Sequence, residues 1–574
     1  MGFRGVRWFL CLLFLKHWEQ TSIFIKASLP MSIPSKVMRS IFCEKICIPF
    51  TITCNTRVRR YRKGTAVIMK FIKKIQNITS VDNEKNTYSS MELTTENIKK
   101  ILSDSPDVQY QVHYINGCRN LPVTVIYIAG LVNKKIINDD ILKPLVQEKV
   151  LSEANNFPDI INLIEKGIIY NAARKVNTKL DDTINDIING SLALVFDKEK
   201  KAITFEVKEF EKRSITEPTN ENVLKGSKDS FIEVLTVNRA LVRRKLRTPN
   251  LRIKEIIVGT QTKTPINVIY IENITNQEIV DEVMKRLAEI NVDGAIVAGS
   301  IEEYIIDNKR TVFPQVAITE RTDKFCQHIL EGKVGMIIDG LPIAYVIPVD
   351  TAMFYKAPED YAQNYITSSF IRCLRYISSL ITLFLPGFYI SITTFHQEMI
   401  PTSLAESIIE SKGDVPFPTN TSVLMLLIAF ELLLEAGLRL PRTIGQAISI
   451  IGALVVGQAA VQAKLISPAV VIVVAVTGIT GFTMPNQDYA NALRILRFIF
   501  VISASIAGLY GVSLAFVALL YHINSLETFG VPYLSPFVAN EGREMLQDTL
   551  IRIPLYKIKK RPSSFKPINK KRQE

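Results

Sequence analysis

Side chains that carry chemistry are scarce in this sequence. There are five histidines in 574 residues, and none of His17, His113, His328, His396 or His522 stands in a Cys/His cluster with ligand spacing, so no metal site is expected. The seven cysteines (Cys11, Cys43, Cys47, Cys54, Cys118, Cys326 and Cys373) form no even framework, and ordinary reduced thiols are the expectation. There is no G-x-x-x-x-G-K-[ST], no H-E-x-x-H, no G-x-S-x-G and no strand-borne G-x-G-x-x-G. These absences remove the phosphate-binding loop, the zinc protease, the serine hydrolase and the dinucleotide-binding readings. His396 beside Glu398 in TTFHQEMIP is too isolated to act as a general base. The sequence therefore points to a protein that is not an enzyme and uses no cofactor.

Charge is missing from one long stretch, residues 441–485, where Arg442 and Lys464 are the only charged side chains. Lys464 divides it into two apolar runs, each close to the roughly 20 residues that span a bilayer. On a helix, Gly445, Ser449, Gly452, Val456, Ala459 and Ala463 fall at i, i+3, i+4 spacing and make one stripe of small side chains. Gln446, Gln458 and Gln462 lie beside it, and amides avoid lipid. Such a face calls for protein, water or a pore, although Gly445, Gly452 and Gly457 are equally read as tight packing within one subunit.

With 47% hydrophobic residues and a mean hydropathy of +0.17, the chain reads as segregated: an α/β soluble region of two related subdomains, then an all-α polytopic membrane domain of about five hydrophobic segments. Residues 1–68 read as a disordered leader or a translated upstream extension. Arg62-Lys63-Gly64 is what a purine-rich ribosome-binding site would encode, and Met69 follows it closely. A linker at 69–90 leads to subdomain 1 (91–212), an inter-subdomain segment (213–252), subdomain 2 (253–350), an interfacial segment (351–376), the membrane domain (377–522) and a basic tail (523–574). The net charge of +14 gathers at the two ends, which suits a lipid surface better than nucleic acid. A repeat supports the two subdomains: PVTVIYI from Pro122 matches PINVIYI from Pro265, and GSLALVFD from Gly190 matches GKVGMIID from Gly332, at nearly the same offset. Between them, KGSKDSFIEVLTVNRALVRRKLRTPNL reads as a basic amphipathic helix. Its Arg239, Arg243, Arg244 and Arg247 are candidates for lipid or partner contact, with a solvated face as the alternative.

In the membrane domain, Arg372 and Arg375 precede a first span at 377–395, which Pro386-Gly387 is expected to bend. A second, 422–440, carries Glu431 and Glu435 one turn apart. Acids at mid-bilayer cost about 2.5 to 3.5 kcal/mol on insertion scales, so they face other helices or water, or else pair with Arg439 or Arg442 near the interface. The final span is read at 498–522. Five spans would put the α/β region and the basic tail on opposite sides, yet both are basic enough to ask for the same one.

The runs FPQVAITERTDKF, TTFHQEMIPTSLAESI, PFPTNTSVLMLLIAFELLLEAGLRLPRTIGQAISIIGALVVGQAAVQAKLISPAVVIVVAV and HINSLETFGVPYLSPF together resemble the A subunit of the GerA-type spore germinant receptors. The likeness spans about 91–561 and departs at Thr419-Asn420-Thr421, where relatives are more apolar. It implies an A subunit in the inner membrane of the spore, with the N-terminal region cytoplasmic. The implied partners are a transporter-like B subunit that recognises the nutrient and a lipoprotein C subunit. It implies further a homo-oligomer forming a ligand-gated cation channel. In that setting Gly445, Ser449, Gly452, Val455, Val456, Gln458, Ala459 and Gln462 become pore-lining or gate candidates. Val455 and Val456 would close the path by dewetting, and the glutamines or Glu431 and Glu435 would supply its polar lining. A membrane-anchored scaffold that docks the B subunit is the competing reading. A transporter is a third, without visible inverted repeats.

Overall fold

The computed structural model describes the chain from Met91 onward, apart from residues 103–104, 116–120, 153–155, 170–172, 209–217, 219–220, 222, 224, 440–456, 538–547 and 574. All of it falls in one compact unit, Thr87–Glu574. The leader, the linker and the late start at Met69 lie outside the described residues.

Strands β1 (Val108–Tyr114), β2 (Pro122–Ile128), β3 (Arg174–Asn177), β4 (Ser191–Phe196) and β5 (Lys201–Glu206) form an antiparallel sheet ordered β1-β2-β4-β5-β3. Helices α1 (Thr95–Leu102), α2 (Phe157–Lys166) and α3 (Leu180–Ile188) cover it. Strand alternation sends Val123, Val125 and Tyr127 to the α2 face, and Ile126 and Ile128 to the face shared by α1 and α3. With both faces covered, β2 and β4 need apolar side chains at every position, which is why they read as unbroken hydrophobic runs.

The second sheet repeats the first. Strands β6 (Leu251–Val258), β7 (Thr264–Ile271), β8 (Ala317–Thr319), β9 (Val334–Ile338) and β10 (Ala344–Ile347) are ordered β6-β7-β9-β10-β8, again antiparallel. The matched sequence runs occupy matched places, β2 with β7 and β4 with β9. The punctuation matches too. Asn133 Oδ1 accepts from Lys135 N at 2.8 Å and Asn276 Oδ1 from Glu278 N at 3.1 Å, each opening a helix after the equivalent strand. Gly190 (φ +89°) and Gly332 (φ +98°) make the left-handed turn before β4 and β9, where a Cβ would be strained. The two subdomains are a structural duplication.

Helix α4 (Leu235–Lys245) joins them, and here the sequence reading of its arginines needs correcting. Arg243 is 1% exposed and forms a fork to Asp107 at 2.8 and 3.0 Å, with a third bond to the Leu251 carbonyl. It thus ties α4 to the residue before β1 and is closed to lipid or partner. Arg239 pairs with Glu255, and Arg244 with Asp229. Arg247 is exposed but already donates to Arg244 O and Asn189 Oδ1. The segment is basic because it serves several acids of the same chain.

Helices α5 (Gln277–Ala288) and α6 (Thr322–Leu330) flank the second sheet on opposite faces, and beyond it the chain turns helical. It continues as α7 (Tyr365–Thr394), α8 (Thr402–Lys412), α9 (Thr419–Arg439), α10 (Pro468–Gly481) and α11 (Gln487–Ser525). By length and composition α7, α9 and α11 could each cross a bilayer, whereas α10 is a shorter apolar helix. Of the five segments expected, the one before Lys464 is described only at 457–462. Lys464 takes a left-handed φ of +55° there, ending one helix before Pro468 opens the next.

The last helix is not the single span read at 498–522. Ala507 (φ −133°) and Gly508 (φ +57°) leave helical geometry, and the two arms fold back on each other. Tyr489 near the start and His522 near the end both meet Phe313, with ring centroids 6.0 and 6.2 Å apart, while Gly508 abuts Phe395 and His396 beyond α7. Midway, Phe384 of α7 touches Phe500 on one arm and Phe516 on the other. The chain then returns to the second subdomain, where Thr528 Oγ1 donates to Val349 O at 2.8 Å and Ile568 N to Ile274 O at 2.9 Å. The conflict between the two basic regions disappears, because tail and α/β region share one side.

Arg243→Met should leave Asp107 buried and unpaired, costing about 3 to 5 kcal/mol. Hydrogen exchange is expected to show β1 and α4 opening together in this variant. Arg247→Met, at an exposed position, should leave exchange unchanged.

Candidate functional site

Of the pore-lining candidates, Gly445, Ser449, Gly452, Val455 and Val456 lie outside the described residues. Gln458, Ala459 and Gln462 are described and exposed. Their neighbour Gly457 faces inward, where a Cβ would come 3.6 Å from Val471 of α10. The 457–462 stretch thus packs one side against its own chain and leaves both glutamines without cover.

The two intramembrane acids separate. Glu435 pairs with Arg439 one turn on, at 2.7 Å, and both are well exposed, which is the interfacial arrangement. Glu431 is instead gripped across the bundle by the guanidinium groups of Arg494 and Arg497 on the first arm of α11. Arg497 is 1% exposed, and its Nε has no partner among the described residues. Beside this cluster, Thr382 Oγ1 of α7 donates to Thr480 Oγ1 next to Gly481, and the Phe430 ring lies against Gly478, so α7, α9, α10 and α11 converge at one level. The sequence reading did not pair Glu431 with Arg494 and Arg497. The signal available was one acid on α9 and two arginines on α11, opposite charges in apolar helices that have to find each other.

A second polar cluster, not foreseen, ties the bundle to the α/β region. Asp360 accepts from Arg372 at 3.1 Å and from Arg375 at 2.8 Å. Arg372, fully buried, reaches on to Asp548 at 3.0 Å, which also accepts from the Tyr361 hydroxyl at 2.6 Å. Tyr355 stacks on Tyr376 at 3.9 Å and shares a hydroxyl contact of 3.2 Å with Tyr489 at the foot of α11. Three parts of the chain meet here: the 351–362 connector, the first turns of α7 and the tail. In the segment read as interfacial, Tyr355, Tyr361 and Tyr376 are thus spent on internal packing.

Next to this junction, His328 and Glu331 sit 3.3 Å apart, both buried. Burial and the Lys333 charge push His328 from 6.5 down to about 4, so it is neutral at pH 7. Burial alone would raise the Glu331 carboxyl, but the hydrogen bond from His328 and the charges of Lys356 and Lys333 hold it below the usual carboxylate range. Burial also lifts the Tyr361 hydroxyl above its ordinary value.

A duplicated α/β region joined by buried ion pairs to a bundle of long apolar helices defines a membrane-associated protein. Residues 96–564 match the family described as Bacillus/Clostridium GerA spore germination protein, and the chain belongs to that family. Spore germination protein B1 of Bacillus subtilis (strain 168) is 36% identical over 485 residues, covering 84% of this chain and 99% of that protein. Spore germination protein KA of the same organism is 37% identical over 475 residues, covering 83% and 86%. Among solved structures, the N-terminal domain of the A subunit of the Bacillus megaterium spore germinant receptor GerK3 is 26% identical, covering 45% of this chain and 96% of that one, with a TM-score of 0.37.

Glu431→Gln should weaken the bundle by about 1 to 3 kcal/mol, because the two guanidinium groups lose their counter-charge and keep only an amide oxygen to donate to. Glu435→Gln, at an exposed pair, should change stability by under about 1 kcal/mol. Thermal unfolding in detergent reads both. For His328 the folded value lies below the unfolded one, so its contribution is present above pH 6.5 and is lost as pH falls from 6.5 towards 4. The stability difference between wild type and His328→Gln should shrink over that window.

Proposed function

We propose that this chain is the A-type subunit of a germinant receptor. In this reading it sits in the inner spore membrane with its α/β region in the cytoplasm, beside a transporter-like B subunit and a lipoprotein C subunit. Several copies surround a cation-conducting path that opens when nutrient is sensed, and the subunit conducts without catalysing a reaction. The observation that carries this is the uncovered face of Gln458, Ala459 and Gln462 on a stretch whose other side packs against α10. Two amides facing hydrocarbon would be unfavourable, and other copies around water satisfy both them and the small residues beside them. The duplicated subdomains, tied rigidly to the bundle through Arg372, are suited to passing a movement inward.

The scaffold reading, in which the subunit docks the B-type partner and conducts nothing, draws on the same junction, and one experiment separates the two. Val455→Ala and Val456→Ala chains, purified and reconstituted in liposomes, should leak potassium at least about tenfold faster than wild type, since a wider constriction stays wet. Adding Gln458→Leu and Gln462→Leu should lower that flux. An intact oligomer that passes no cation in any variant would leave the scaffold reading standing.

A further inference from the structure

The C-terminal segment folds back on itself. Arg561 N donates to Lys570 O and Arg572 N to Lys559 O, both at 2.9 Å, with Lys560 bridged to Lys571 in antiparallel register. Lys559, Lys560 and Arg561 are thereby set across from Lys570, Lys571 and Arg572. Like charges directly opposite repel, so a bound anion would stabilise this arrangement. Among the described residues, Lys559, Lys560, Arg561, Lys570 and Arg572 form no ion pair with a carboxylate. The Arg561 guanidinium donates to the carbonyls of Leu330 (2.8 Å), Asn569 (3.1 Å) and Lys571, which orient it and leave its charge whole. Burial and the nearby Arg572 charge push its pKa below the usual value.

A cavity of about 60 Å³ opens at this place, and the tail lines it with Lys560, Arg561, Ser563, Ser564 and Arg572. Three acids border it, and each is engaged elsewhere. Glu331 is with His328, Asp350 accepts from Met353 N at 3.0 Å, and Asp548 accepts from Arg372 and Tyr361. Its volume has room for one small oxyanion and excludes a peptide. Its height in the molecule is also informative. Upstream in the same tail, Arg552 O accepts from Ser369 at 2.9 Å and Leu550 O from Cys373 at 3.8 Å, along the first turns of α7, just before the apolar part of that helix. Ile551, Leu555 and Tyr556 stand exposed beside it, as side chains do at a headgroup layer.

We propose that the folded-back C-terminal segment is a binding site for a phosphate group, held by the Arg561 and Arg572 guanidinium groups, Lys560 and the Ser564 hydroxyl. Guanidinium forks match the oxygens of a tetrahedral oxyanion two at a time, and Lys560 adds a point charge. Two sources carry that chemistry: the headgroup of an anionic phospholipid in the adjacent leaflet, or free inorganic phosphate. The inference does not rest on ion conduction.

The full-length chain in nanodiscs of phosphatidylcholine provides the test, with thermal unfolding followed as inorganic phosphate is added against chloride at matched ionic strength. Phosphate should raise Tm, and Lys560→Gln/Arg572→Gln should weaken the apparent affinity at least about tenfold, through loss of two charge-assisted contacts. Lys134→Gln/Lys135→Gln, exposed on the first subdomain, should behave as wild type. If a lipid headgroup is the natural occupant, exchanging phosphatidylcholine for phosphatidylglycerol raises Tm without phosphate and abolishes the phosphate response. If free phosphate is the occupant, its effect is the same in both lipids. Should the double variant fail to fold, Arg572→Lys keeps the charge and loses the fork, and weaker phosphate binding is expected. The proposal is overturned if neither anion stabilises wild type more than the tail variants, or if the Lys134/Lys135 control loses as much.

Discussion

Everything at the base of the helix bundle hangs on Arg372. Its guanidinium is fully buried between Asp360 of the connector and Asp548 of the tail, two acids far apart in sequence and both close to it in space. Breaking a buried pair of this kind on one side costs about 3 to 5 kcal/mol, because the remaining charge has no water to fall back on. The connector therefore cannot shift without α7 and the tail shifting too. The stacked Tyr355 and Tyr376 and the Tyr489 hydroxyl extend the same constraint to the foot of α11. A domain hung on a flexible linker could not pass strain into the helices. Here the connector, α7 and the tail instead share buried ion pairs.

Much of the fold was legible because it is periodic. Two strands of identical character, PVTVIYI and PINVIYI, mark matched positions in matched sheets, and the asparagine and glycine punctuation falls where a helix must start and a turn must go left-handed. The membrane segments announced themselves by lack of charge, as apolar length does. What hid was everything set by tertiary pairing. Arg243 looks like any arginine of a basic helix until Asp107, well over a hundred residues away, closes on it. The turn inside α11 rests on one alanine-glycine step that hydropathy averages away, since both arms and the turn between them are apolar.

The candidate site was legible to a similar degree and for the same reason. That acids in an apolar helix must have partners follows from solvation alone, but which acid is paired across the bundle and which along its own helix depends on how α9 is rotated. Sequence puts Glu431 and Glu435 on one face; the structure gives one of them two arginines and leaves the other near the helix end with Arg439. The folded tail was the least foreseeable part. A basic run reads as solvated or lipid-seeking, and nothing in its composition says that two halves of it lie side by side over the second subdomain.

The grip on Glu431 also bears on how the molecule is made. Its partners lie 63 and 66 residues downstream, so α9 is synthesised before either arginine that pairs with it. Until they are made, the Glu431 carboxyl stands in an apolar helix without these partners. The first arm of α11 then brings two cations that insert poorly by themselves and find their counter-charge already waiting. The order of synthesis is thus α9 with its acid, the arginine arm that meets it, and the second arm after the turn at Gly508. The tail can close over the junction only after that, making Asp548 the last of the paired acids to arrive at Arg372.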